Sequence, residues 1–171
     1  MTSVFDDIIL TGATRVPSPE KFQITPVRNA AGLSAYHRLR HDVFVTEQGL
    51  FADTERDDYD DDPRTVVLLA CRTGGPDAGE VLGGVRLHPM TGDGLSAPDL
   101  GWWRGSRLAV AQDCRLVHGI GAALIRAACA EAESLGALRF DATVQARHET
   151  LFRRLGWVPR ERLDLDRKSV V

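Results

Sequence analysis

An α/β domain built on one central sheet is the fold class this sequence predicts, and three stretches carry that reading. Thr65-Val66-Val67-Leu68-Leu69-Ala70-Cys71 is apolar on both faces and too short for a helix, the pattern of a buried strand. Gly119 to Leu135 is rich in Ala and Leu with charges spaced along it, as a helix requires. Leu138, Phe140, Ala142 and Val144 alternate with polar residues, the period of a strand with one buried face.

The elements follow in order. Residues 1–20 are polar and Pro-containing and read as a flexible arm, leaving 21–171 as the folded domain. Phe22, Ile24 and Val27 mark a short strand closed by Arg28-Asn29. From Leu33 the spacing turns helical: Leu33, Tyr36, Leu39, Val43 and Phe44 share a face. Residues 52–64 form an acidic loop. The buried strand at 65–71 turns at Gly74-Gly75-Pro76-Asp77 into a second strand, Val81 to Leu87, predicting an antiparallel hairpin. Residues 90–101 read as loop, and Trp103 to Val110 as a strand. The long helix follows, with Gly136 just past its end as a cap. After the strand at 138–144, Glu149 to Leu155 fits a short helix stopped by Gly156. Trp157 to Leu165 alternates again and is expected to supply the last strand.

Composition narrows the function. At 171 residues the chain suits one domain. Its 43% apolar and 26% charged residues are ordinary for a globular protein. A net charge of −3 offers no general attraction to nucleic acid or anionic membrane. No apolar run approaches the roughly 18 residues of a membrane span, and the N-terminus lacks a secretory pattern. Cys71, Cys114 and Cys129 are odd in number and form no Cys-x-x-Cys pair, so they read as reduced thiols of a cytoplasmic protein. Asp53, Glu55 and Asp57 have the spacing of a calcium loop, but Asp58 replaces the required Gly and Arg64 the closing Glu. No metal site is expected.

The most informative segment runs from Arg107 to Leu124, where a strand enters a helix whose first turn holds Gly119 and Gly121. The first amides of a helix have no internal partner and lie at the positive end of its dipole. Glycines there admit a phosphate close to the backbone, and Arg115 and His118 add positive charge. Packing alone also explains two glycines in a tight connection.

Together with the strand before it, this segment resembles the GNAT superfamily, and the likeness extends over about residues 22–165. It implies a GNAT acyltransferase fold, a mixed, mostly antiparallel central sheet flanked by helices. It also implies acetyl-CoA as cosubstrate and a small-molecule amine as acceptor. Leu108, Ala109 and Val110 would then flank the pantetheine arm, and His118, Gly119, Ile120, Gly121 and Ala122 would face the pyrophosphate. In the family the arginine commonly stands three residues before the first glycine, where this chain has Leu116. Arg115 lies one position further back, as a one-residue loop insertion would place it. The stretch Gln145 to Trp157 resembles a second GNAT motif: Leu155-Gly156-Trp157 keeps its Leu-Gly-aromatic ending, with Gln145 at a usual Asn and Phe152 at a usual Tyr. That Tyr often protonates the departing thiolate. Phe152 has no proton to give, and Cys114, Ser106 or water are the substitutes.

Arg40, Phe44, the Glu55-x-Asp57-x-x-Asp60 series and Arg86 resemble the first half of acyl-homoserine lactone synthases, which share the GNAT fold. The whole set, with Trp102-Trp103, resembles most the GNAT domains associated with bacterial nitrilase gene clusters. Left to itself the Asp-rich stretch reads as a solvated loop whose charge favours a cationic amine. Direct transfer needs a base for the acceptor amine. Glu47, at the end of the first helix, leads, with Glu55 and Asp57 next; a strand amide near Val110 would stabilise the thioester oxygen. Arg107 stands where several GNATs carry a Glu. Three functions stay open: N-acetyltransferase, lactone synthase-like enzyme and non-catalytic CoA-binding scaffold. A homodimer stays open as well.

Overall fold

The computed structural model describes residues 21–90, 100–115 and 119–161. The expected N-terminal arm, His118 and most of the 90–101 loop lie outside those residues. Five strands form one sheet in sequence order: β1 (Phe22–Pro26), β2 (Val66–Arg72), β3 (Val81–Pro89), β4 (Trp102–Val110) and β5 (Arg139–Ala142). The first four pair antiparallel, with β2 and β3 forming the expected hairpin, and β4 pairs β5 in parallel.

Helix α2 (Ile120–Ser134) covers one face. Its Ile120, Leu124, Ala128 and Ala132 are buried against Leu68, Leu82, Val85, Leu87 and Trp103. Small alanines let the helix lie close to the sheet, and the amides of Gly136 and Ala137 close its end on the carbonyls of Glu133 and Ala132. Helix α1 (Ala30–His41) covers the other face and starts at Asn29, whose side chain accepts the Gly32 amide at 2.8 Å. Tyr36 is fully buried against Val67 and Leu69. Gly84 permits this close approach, since a Cβ there would lie 2.7 Å from the Tyr36 ring.

Beyond His41 the helix widens into a π-helical turn, Asp42–Glu47. The turn buries Val43 and Phe44 against Ala109 and leaves Glu47 and Gln48 at its open end. Such turns often mark functional sites.

Two irregularities shape β4. Gly84 lies opposite Ala109 and Arg86 opposite Ser106, so Val85 faces two residues of β4, Arg107 and Leu108. This is a β-bulge, and Arg107 adopts φ +52°, the one positive-φ residue besides glycine among those described. Pairing with β5 ends at Gly105–Ala142. From Ser106 onward the two strands part.

The expected last strand is corrected in part. Residues 157–161 form none, and 162–165 lie outside the described residues. The Trp157 ring instead sits 5.3 Å from Phe152, on α3 (Glu149–Arg154), and 5.5 Å from Phe140. Within the described part, Trp157 serves this aromatic packing and not a strand.

Candidate active site

Three segments meet where β4 leaves β5: the end of β4 with the start of α2, the chain after β5, and the end of the π turn. Leu108 and Val110 pack towards the α2 core, and Ala109 is buried on the opposite side with Phe44. The side of β4 that faced β5 thus continues past Gly105 without a strand partner among the described residues.

Gly119 caps α2 in the left-handed conformation, φ +61°, with no neighbour within 4 Å of where a Cβ would sit. It has no side chain to satisfy the following amides. A Cβ on Gly121 would approach only Val110, at 3.8 Å. Ile120 is buried beneath the turn and Ala122 is partly exposed. Among the described residues nothing caps or covers the start of this 15-residue helix, the arrangement that suits an anion.

Arg115 stands beside this turn. Its Nε donates to the Val110 carbonyl at 3.0 Å, and its guanidinium forms a two-pronged ion pair with Glu47, Nη2 to Oε2 at 2.7 Å. That hydrogen bond holds the Glu47 carboxyl below its ordinary range. Nearby, Gln145 donates to the Gln48 side chain at 3.3 Å. The π turn is thereby linked to both sides of the cleft, and Glu47 and Gln48 lie at its mouth.

The acidic loop departs from the sequence reading. Glu55 and Asp60 are each about 2% exposed at the side chain, and Asp57 is 25% exposed. Arg40 bonds Glu55 through Nε at 2.6 Å and both oxygens of Asp60 at 2.6 and 3.0 Å. Arg86 grips Asp57 at 2.6 and 2.8 Å and reaches Asp60 at 2.8 Å. Arg107 bonds the Glu55 carbonyl at 2.9 Å and Asp57 at 3.1 Å, with its guanidinium 4.9 Å from the Phe51 ring centre. Three carboxylates meet three guanidiniums, so the cluster is neutral and mostly dry rather than a solvated negative loop. Asp53, Asp58 and Asp61 of the same loop stay exposed outside the cluster.

Burial works to raise the carboxyls of Asp57 and Asp60, but hydrogen bonds and charge from the arginines outweigh it and hold both below the ordinary range. Burial also pushes His88 down to about 4, helped by the charge of Arg86. Its neutral ring stacks on Tyr59 at 3.7 Å. Tyr36 ties the cluster to β4: its hydroxyl donates to the carbonyl of Arg107, at the bulge, at 2.8 Å.

The predicted residues thus fall in two places. Glu47, Arg115 and Gln145 gather at the cleft with β4 and the start of α2. Glu55 and Asp57 lie in the ion cluster under the bulge, engaged by arginines. The reading missed Tyr36, because a single Tyr on an apolar helix face looks like core, and it missed the special backbone at Arg107, which no glycine announces. No group of three or more His, Cys, Asp or Glu suited to a metal occurs among the described residues.

The model of the acetyltransferase (GNAT) family matches residues 33–157. The chain belongs to the GNAT family. An acyl-CoA N-acyltransferase from Pseudomonas aeruginosa shares 25% identity with this GNAT domain and a TM-score of 0.70, covering 86% of this chain and 95% of its own. A CoA-dependent acyl-homoserine lactone synthase, BjaI, solved with SAM and isopentyl-CoA, shares 26% identity and a TM-score of 0.63, over 81% of this chain and 74% of its own. Escherichia coli ElaA, at 17% identity, shares the fold with a TM-score of 0.68, over 85% and 93%. No curated protein sequence matches. The domain is a GNAT acyltransferase that uses acyl-CoA as cosubstrate. Among the described residues no helix is long and apolar enough to cross a membrane.

Proposed function

We propose that this GNAT domain is an acetyl-CoA-dependent N-acetyltransferase that transfers directly to a small-molecule amine. The observation that carries the reading is the course of β4. It leaves β5 after Gly105 and runs on to the uncapped, glycine-opened start of α2. A pantetheine arm fits the freed side of residues 108–110, and a pyrophosphate fits the amides of Gly119 to Ala122, with Arg115 beside them.

When bound, the thioester supplies an activated acyl carbon. The chain's own residues then have three tasks. The β4 amides on the freed side meet the developing oxygen charge. Glu47, at the mouth, takes the proton from the acceptor amine. Its pair with Arg115 makes it a weak base, and that restraint lifts when the guanidinium turns to a phosphate instead. The third task, protonating the departing sulfur, falls to solvent or to a hydroxyl such as Ser106. Phe152 only packs on Trp157.

A screen of amines with acetyl-CoA, following thiol release, tests the reading, and calorimetric titration of CoA accompanies it. CoA binding without transfer to any amine would favour the scaffold. The Arg40, Glu55, Asp57, Asp60 and Arg86 set favours a second reading, the lactone synthase, because of its likeness to that family. Here, however, these groups satisfy one another. S-adenosylmethionine is therefore expected neither to bind nor to yield a homoserine lactone by mass spectrometry, and detection of the lactone would reverse the order.

A further inference from the structure

Among the described residues, Arg104 on the cleft side of the sheet has no ion-pair partner. It is the penultimate residue of β4 before the strands part, opposite Asp141 on β5 and His88 on β3. Trp103 is buried in the α2 core, so Arg104 and Ser106 project from the other face, where Ser106 accepts a hydrogen bond from Arg86. The Nε of Arg104 is closed off from solvent and has no hydrogen-bond partner among the described residues.

Among the described residues its neighbours form no ion pair with it. Asp141 is held by Arg139 Nε at 2.7 Å. His88 is neutral at pH 7. Glu55, Asp57 and Asp60 are engaged by Arg40, Arg86 and Arg107. Among the described residues no carboxylate lies within ion-pair distance of Arg104, whereas each arginine of the cluster has at least one. A guanidinium N–H withdrawn from water without an acceptor is costly. A ligand that brings two coplanar oxygens removes that cost and uses the fork geometry of arginine.

We propose that Arg104 anchors the acceptor by a carboxylate, so that the substrate class is an amine that also bears a carboxylate. The inference rests on the transfer reading above and reverses the preference for a purely cationic acceptor. The placement suits it: Arg104 still pairs with β5, and the freed stretch of β4 begins two residues on. An acceptor held there by its acid end has its amine directed along β4 towards the acyl group.

The test uses the full chain with acetyl-CoA and matched acceptors: α- and ω-amino carboxylates, the corresponding carboxamides, and the amines lacking the carboxyl. Wild type is expected to prefer the carboxylates in kcat/KM by about ten-fold or more. Arg104→Gln is expected to raise the KM of the carboxylate acceptors by about ten- to a hundred-fold, the range of a hydrogen bond to a charged group. The KM of acetyl-CoA should stay unchanged, and Arg104→Lys should recover part of the loss. Thermal melts show whether each variant is folded. Equal use of carboxamides by wild type overturns the inference while leaving the transferase reading intact, as does a preference that survives Arg104→Gln. If no amine of any kind is acetylated, the transferase reading falls. Binding of N-acetylated amino carboxylates to CoA-loaded wild type, by calorimetry, then decides the inference: loss of that binding in Arg104→Gln supports it, and absence of binding to wild type overturns it.

Discussion

Replacing Asp60 by Asn removes one charge from a neutral, mostly dry cluster while keeping the side chain's shape. Asp60 Oδ1 receives bonds from Arg40 at 2.6 Å and Arg86 at 2.8 Å, and Oδ2 from Arg40 at 3.0 Å and the Asp57 amide at 3.1 Å. Asn offers one oxygen in place of two and turns an N–H₂ towards a guanidinium. Arg40, buried and unable to lose its proton, is left with Glu55 alone. Breaking a buried ion pair from one side costs about 3–5 kcal/mol, a large share of the roughly 5–15 kcal/mol that holds a domain together. With a urea dependence of about 2 kcal/mol per molar, the unfolding midpoint should fall by about 2 M. Asp61→Asn is the control, since its side chain is 86% exposed, and it should stay within about 0.5 kcal/mol. Equilibrium urea unfolding followed by tryptophan fluorescence measures both. If the two variants unfold together near wild type, the cluster is wet and the solvated-loop reading was right.

The same groups set the response to acid. His88 binds its proton more weakly folded, at about 4, than an ordinary histidine at about 6.5. Its contribution is therefore complete above pH 6.5 and declines as pH falls to 4, by roughly 3 kcal/mol in all. Asp57 and Asp60, held low, add a second loss below about pH 4. Urea midpoints between pH 7 and 3 should show both losses, and His88→Asn should flatten the first; a wild-type midpoint constant down to pH 4.5 refutes the assignment. Gly121→Asp should leave the fold intact, because space is open there, and weaken CoA binding at least ten-fold; unchanged affinity by calorimetry in the folded variant sinks the phosphate assignment. Gly119→Val is the poorer probe, since φ +61° strains any β-branched residue. Phe152→Tyr should leave acetyl-CoA affinity unchanged and turnover equal or modestly higher, measured against pH with an active acceptor. Phe152→Ala should cost about 1–3 kcal/mol, less than a fully buried ring, because Phe152 is only half-buried; a larger loss with abolished CoA binding shows the ring supports the cleft.

Where one face of an element was buried, the sequence was readable. The helix from Gly119 announces itself because its apolar period matches the face it buries, and the run 65–71 because it is apolar throughout and too short for a helix. Trp157 shows the limit, since an aromatic that packs edge-on against Phe152 and tilted against Phe140 also fits the start of a strand pattern. The acidic loop was legible only in part: Asp53, Asp58 and Asp61 are exposed as expected, whereas Glu55, Asp57 and Asp60 are drawn into ion pairs. Its charge is local in the sequence, but its neutralisation comes from Arg40, Arg86 and Arg107 on three separate elements, which only the fold brings together. At the cleft, the sequence put Gly119 and Gly121 in the first turn of a helix, where the structure has them. The Glu47–Arg115 pair spans 68 residues and leaves no local trace, and Arg104 looked like any charge on a strand.

The bulge at Arg107 has a bearing on how a comprehensive substitution map of this enzyme should be interpreted. Its backbone is held from one side by Tyr36 and its side chain from another by Asp57, with Gly84 making room for the tyrosine ring. Changes at 36, 57, 84 or 107 shift the segment of β4 that lines the cleft without removing any group from it. Scored by activity alone, these four positions would stand out as strongly as reacting residues, and an assignment by sensitivity would draw the active centre several ångströms too deep. Scoring abundance alongside activity would separate the two populations, and Glu47, Arg104 and Gly121 should be the sites that lose activity while the protein stays plentiful.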